Sequence, residues 1–228
     1  MVENETQWHR AWKNYFPTEW QESNRVDSTT GEKHIADIKT DKGFVIEFQH
    51  SAIQPSEIQS REAFYKNMVW VVDGTRLKRD YPRFCRGFRD HRPTIVEGFF
   101  RLFFPEKYLP ERWLGSSKPV YFDFQGTTLI DQPNDMRAFL WCLLPGRVDQ
   151  CAVVACISRK QFIDFSSSNP HLLPTRDKFS IQEKNSQAFL AEAIEAAAKI
   201  KKIKAEQAAA HERNSNSLIP RRFMHRRL

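Results

Sequence analysis

The sequence predicts an α/β protein in which a mixed sheet is flanked by helices and followed by a long C-terminal helix. Three observations predict it: a β-hairpin pattern over residues 33–51, a strand–helix–strand pattern over residues 44–72, and an Ala-rich helical stretch near the end. A hairpin pairs its strands antiparallel, whereas strand–helix–strand gives parallel strands joined by a crossover, so one sheet containing both is mixed.

The elements follow in order. Trp8, Trp12, Tyr15 and Phe16 recur at spacings of three and four, which predicts an amphipathic helix over 4–15 that Pro17 helps to end. His9 and Lys13 lie four apart on it. Residues 19–26 read as strand or loop, and Asp27-Ser28-Thr29-Thr30-Gly31 as a turn. Strands over Lys33–Thr40 and Phe44–Ser51 are joined by Asp41-Lys42-Gly43, with glycine where a left-handed backbone is wanted.

If Thr40 faces Phe44, paired numbers sum to 84, and Asp37 falls opposite Glu47. Their Cβ atoms are then about 4.5–5.5 Å apart. Alternation places Ala36, Ile38, Phe44, Ile46 and Phe48 on one apolar face. Ile35, Asp37, Val45, Glu47 and Gln49 share the other, so the hairpin is expected to be partly covered on both sides.

Pro55 opens a helix to about residue 67, Val69–Val72 reads as a buried strand, and Asp73-Gly74 as a turn. Residues 76–115 are irregular and rich in Arg and Phe, and are treated as an insertion. Further strands are expected over Pro119–Phe124, Thr127–Asp131 and Cys151–Ile157, with a short helix over Pro133–Leu143. The apolar run from Cys151 suggests the centre of the sheet. Beyond a loop at 166–170, a helix over 181–213 carries a narrow stripe (Phe189, Ala193, Ala197, Ile200, Ile203), suited to a partner protein or to self-association. A basic tail, residues 220–228, closes the chain.

Composition narrows the function classes. The 228 residues suit one domain with appendages, and a 40% hydrophobic content with 18 Phe and 6 Trp supplies a core, excluding a disordered or collagen-like polymer. No apolar run approaches the roughly 18 residues of a membrane span, and Met1–Arg10 is not a signal peptide, so a soluble, cytoplasmic protein without membrane contact is expected. The excess of 35 Lys+Arg over 28 Asp+Glu gives a net charge of +7, which permits a nucleic-acid partner without showing one. Cys85, Cys142, Cys151 and Cys156 form no C-x-x-C pair and read as buried free thiols.

Chemistry centres on Asp37 and Glu47. Like charges opposed across a hairpin repel, and partial burial makes that worse, so the arrangement calls for a cation. It is either a lysine such as Lys39 or a hard divalent ion, which carboxylates suit and which activates water beside a phosphate. Gln49, on the same face, is placed to orient a water or a phosphoryl oxygen.

His34-Ile-Ala-Asp37, Val45-Ile-Glu47-Phe-Gln49-His50-Ser51, Arg61-x-x-x-Tyr65 and Val69-Trp-Val-Val-Asp73, preceded by His9-x-x-Trp12-Lys13, together resemble the competence protein CoiA-like branch of the PD-(D/E)XK nuclease superfamily over residues 7–74. The resemblance implies a restriction-endonuclease-like domain over 1–165, with 166–228 as linker, helix and tail. It further implies DNA cleavage with Mg²⁺ or Mn²⁺, Asp37 and Glu47 being the metal carboxylates. Gln49 stands where the superfamily most often has lysine, so either Gln49 or Lys13 completes the catalytic set.

Glu22 resembles this branch's extra acidic residue and is a candidate metal ligand, with Glu19 as its substitute. His9 and Lys13 either face the phosphate or form an exposed polar stripe. Arg61, Tyr65 and His50 are candidate nucleic-acid contacts, Tyr65 with the alternative of packing in the core. Arg83 and Arg86 stand for a basic segment, Arg76–Arg101, interleaved with aromatic residues, which reads equally as a nucleic-acid surface or a solvated face. Two functions emerge: a metal-dependent deoxyribonuclease, or a nuclease-fold DNA-binding or partner-docking module serving competence, recombination or phage defence.

Overall fold

The computed structural model describes residues 5–26, 33–89, 91–130, 132, 135–148 and 150–217. The turn expected at 27–31 and the tail at 220–228 lie outside the described residues. Helix α1 (Gln7–Lys13) begins at Thr6, whose hydroxyl caps the His9 N–H. Strands β1 (Gln21–Val26), β2 (Lys33–Lys39) and β3 (Val45–Gln49) are successively antiparallel. The β2–β3 turn closes through Thr40 and Phe44 as expected, with Gly43 at φ 73° supplying the left-handed step. Helix α2 (Pro55–Phe64) then leads to β4 (Met68–Asp73), parallel to β3.

Helix α3 (Asp80–Arg89), β5 (Arg92–Pro93) and β6 (Phe99–Leu102) fill much of the segment that reads as irregular, and they continue the main sheet rather than interrupt it. After β7 (Val120–Asp123) come β8 (Phe139–Leu143), β9 (Ala152–Ser158), α4 (Arg159–Ser168) and α5 (Arg176–Ser217). The strand order is β1-β2-β3-β4-β7-β8-β9-β6-β5, with β3, β4 and β7 parallel and the other pairings antiparallel. The mixed sheet flanked by helices is therefore as expected. The chain divides into two units, Met1–Ile181 and Gln182–Leu228, and in the second the helix exposes Phe189, Leu190, Ile194 and Ile200.

Four expectations are corrected. Residues 139–143 form strand β8 instead of ending a helix, because Phe-Leu-Trp-Cys-Leu fits between β7 and β9 with its last four side chains buried. Residues 127–130 form no strand, and Leu129 is exposed. The strand at 152–158 is interior but not central, a place β7 holds. Ala36 packs in the opposite core layer from Ile38, Ile46 and Phe48. The β2–β3 ladder stops at Ile38↔Ile46, and beyond it β2 is released to twist away from β3.

Two apolar layers sandwich the sheet. One joins Trp8 and Trp12 of α1, Phe162 of α4 and Phe179 of α5 to Ile46, Val69, Val71 and Tyr121. The other joins Ile58 of α2, Phe84 of α3 and Trp113 to Val45, Trp70, Val72 and Phe122. Strand β4 is buried throughout, with Val69 and Val71 facing one layer and Trp70 and Val72 the other. All four cysteines are free; Cys142 and Cys151 are buried, while Cys85 and Cys156 are partly so.

Helix α1 spans only seven residues, too few to be stable alone, so packing must fix it. Asp123, fully buried at the end of β7, accepts hydrogen bonds from Trp8 Nε1 at 2.8 Å and Trp12 Nε1 at 3.0 Å, and pairs with Arg159. The main-chain N–H groups of Gln125 and Gly126 donate to its other oxygen. Removing this carboxylate leaves the Arg159 charge and two indole N–H groups without their acceptor. Asp123→Ala is expected to lower the free energy of unfolding by about 3–5 kcal/mol, measured by urea titration.

Candidate active site

Adjacent strands put three acids in one row. The pairs Gln21↔Ile38 and Ser23↔Ala36 bracket Glu22 opposite Asp37, and the register of Ile38↔Ile46 carries Asp37 opposite Glu47, as expected. The last rung is absent. Asp37 Oδ2 instead accepts the Phe48 main-chain N–H at 2.8 Å, so this carboxylate replaces part of the ladder and sits in the opening between the strands. His9 Nε2 of α1 lies 3.0 Å from Asp37 Oδ1, within ion-pair distance but without the alignment of a hydrogen bond.

Glu47 is 3% exposed. Its Oε2 accepts from Arg61 Nη1 at 2.8 Å, while Oε1 is buried with no hydrogen-bond partner. Arg61 is shared, its Nε donating to Glu57 Oε1 at 2.7 Å. Burial, and then the negative charge of Asp37, push the Glu47 carboxyl from 4.5 up to about 8, against the opposing pull of Arg61. One arginine therefore does not neutralise this pair of acids.

Lys13 is buried, which removes the exposed-stripe alternative for it. Its Nζ donates to Glu5 at 2.8 Å and Glu22 at 2.9 Å. Burial works against its charge, but those two acids and the field of Asp37 prevail and raise its pKa, so Lys13 stays a cation. Glu22 has a left-handed backbone (φ 51°) and an exposed side chain directed to Lys13. Among the described residues, no group of three or more His, Cys, Asp and Glu side chains is placed to hold a metal.

The remaining candidates separate by position. Gln49 Nε2 donates to the carbonyl and hydroxyl of Ser51. His50 Nδ1 lies 2.7 Å from Asp73 Oδ2, whose other oxygen accepts from Thr75. Tyr65 is 6% exposed and packs against His34 and Phe64 in the core. Arg83 donates to the carbonyls of Lys107 and Glu106, and Arg86 is exposed on α3. Sequence reasoning passed over Glu5, Glu57 and Asp123. Only Glu57 left a signal, since it precedes Arg61 by four residues on a helix.

A mixed sheet flanked by helices, with opposed carboxylates at a strand opening, defines an α/β nuclease-like fold. Residues 32–88 match the family model described as Competence protein CoiA, nuclease-like domain. The segment running from the hairpin through α2 and β4 into α3 is thus similar to the CoiA nuclease-like domain. No curated protein and no solved structure matches the chain. No described helix is long and apolar enough to cross a membrane.

The raised Glu47 pKa has a thermodynamic consequence. Between pH 4.5 and about 8 the folded protein holds a proton on Glu47 that the unfolded chain has released, so its contribution to stability is greatest below 4.5 and is lost as pH rises through 8. In metal-free buffer, the difference in urea midpoint between wild type and Glu47→Gln should shift in favour of the variant from pH 5 to pH 8. A difference independent of pH would show that Glu47 titrates normally.

Proposed function

We propose that this chain is a Mg²⁺- or Mn²⁺-dependent nuclease that hydrolyses DNA phosphodiester bonds, with Asp37 and Glu47 holding the ion. The observation that carries this reading is the unpartnered, buried Glu47 Oε1 beside Asp37, an arrangement short of positive charge. Oxygen donors of this kind fit a hard cation that keeps several waters, so two protein carboxylates suffice. The family description, a nuclease-like domain, supports the same chemistry. When bound, the ion supplies Lewis-acid polarisation of a phosphoryl oxygen and a nucleophile drawn from water at neutral pH.

The protein's own groups then have definite tasks. Glu47, as a carboxylate, would hold the ion together with Asp37. His9 steadies Asp37 from α1. Lys13, held charged by Glu5 and Glu22, contributes a fixed positive field toward Asp37 and, being protonated, is not a general base. Gln49, braced by Ser51, borders the opening where a phosphate enters. Arg61 holds one Glu47 oxygen, leaving the other for the ion.

A second reading, a nuclease fold retained for DNA binding without catalysis, draws on the lack of a third metal-ligating side chain among the described residues. Purified protein should nick plasmid DNA with Mn²⁺ or Mg²⁺ and not in EDTA, while Asp37→Asn and Glu47→Gln reduce cleavage to background with unchanged circular dichroism. Calorimetric titration with Mn²⁺ should show binding in the wild type and none in Glu47→Gln. Metal-indifferent DNA binding without cleavage would favour the second reading.

A further inference from the structure

A cleft of about 610 Å³ opens where β3 and β4 end, lined by His50, Ser51 and Asp73 and by Arg76, Arg79, Arg83 and Arg112. Crevices at the carboxyl ends of parallel strands are where α/β proteins commonly bind ligands. Its charge is not internally balanced. Arg83 is braced against main-chain carbonyls of Lys107 and Glu106, while Arg76, Arg79 and Arg112 make no hydrogen bond or ion pair with the described residues. The acids in the cleft are Asp73, Asp80 and Glu111, and Asp73 is already engaged by His50 and Thr75. Four guanidinium groups therefore face two remaining carboxylates.

The His50–Asp73 contact adds direction. With Nδ1 held by a buried carboxylate, Nε2 is the ring nitrogen left to meet a ligand from the cleft. The cleft also adjoins the acid-pair site through the chain itself, because Gln49 is fastened to Ser51, which lines it.

We propose that this cleft grips the phosphodiester backbone of a single DNA strand beside the acid-pair site, through Arg76, Arg79, Arg112 and His50. The choice of DNA rests on the nuclease reading; the anion chemistry does not. Single-stranded backbone is favoured because the cleft lies in the size range of small-ligand sites and holds about one or two nucleotides, not the width of a duplex. Trp113, although it lines the cleft, is 2% exposed and offers no face for base stacking, so recognition is of phosphates and independent of sequence.

The test is fluorescence anisotropy of a labelled 12-nucleotide single strand, in EDTA so that metal binding and cleavage play no part. Arg76→Glu combined with Arg79→Glu should weaken binding at least about tenfold and reduce the slope of log K against log salt by about 2. Lys160→Glu, a charge reversal outside the cleft, should change affinity less than about twofold. Absent binding by the wild type, indifference to the double variant, an equal loss in Lys160→Glu, tighter binding of duplex, or displacement by millimolar ATP as effective as by unlabelled strand would each overturn the proposal. Strand binding that depends on the arginines, without metal-dependent cleavage, would defeat the nuclease reading alone. Metal-dependent cleavage with binding indifferent to the double variant would defeat the cleft alone.

Discussion

The Asp123 carboxylate is fully buried at the end of β7, and the position of α1 follows from satisfying it. Two tryptophans one helical turn apart both donate to Oδ2 of this carboxylate, which fixes the rotation of α1 about its own axis as well as its distance from the sheet. His9 and Lys13, each one residue after those tryptophans, are thereby turned toward β2. Arg159 lies over the Trp12 ring at 4.8 Å and meets the same carboxylate, so α4 is tied into the arrangement. The side chains near Asp37 are thus positioned from the end of β7, through contacts made by aromatic residues.

Charge around the acid pair is layered. Glu47 has Arg61, Asp37 has His9 and the field of Lys13, and Lys13 in turn has Glu5 and Glu22. Each cation near the pair is shared with at least one outer acid or is a histidine, so none delivers a whole positive charge to the two inner carboxylates. Gln49, two residues beyond Glu47, is neutral, and the nearby Lys13 reaches toward the pair from a different element with its ammonium already claimed.

The hairpin was legible in the sequence because its determinants are local: Gly43 admits the left-handed step, and the register it sets at Lys39↔Val45 and Ile38↔Ile46 leads to Asp37 and Glu47 just where the ladder ends. The α2 crossover was legible for the same reason, Pro55 opening the helix and an unbroken apolar run, Val69–Val72, closing it. Residues 139–143 misled because a short apolar run reads equally as helix or strand, and only the vacancy between β7 and β9 decides. The segment holding α3 and β6 concealed its order because Arg and Phe alternate without a clean period. Lys13 shows the limit for the site. Its burial depends on Glu5 and Glu22, which arrive from either side of it in the chain, and no spacing rule announces that all three meet.

Arg61 has a neighbour with the opposite task. Glu62 is buried beside it on α2 and accepts from the Trp70 indole at 3.0 Å, the Ser117 main chain at 2.8 Å and both Ser116 and Ser117 hydroxyls. Those bonds pin the last turn of the helix to β4 and to the loop before β7, so the guanidinium of Arg61 hangs from a fixed anchor. The scaffold that holds Glu62 thus also sets where Arg61 meets Glu47, on Oε2 and not on Oε1.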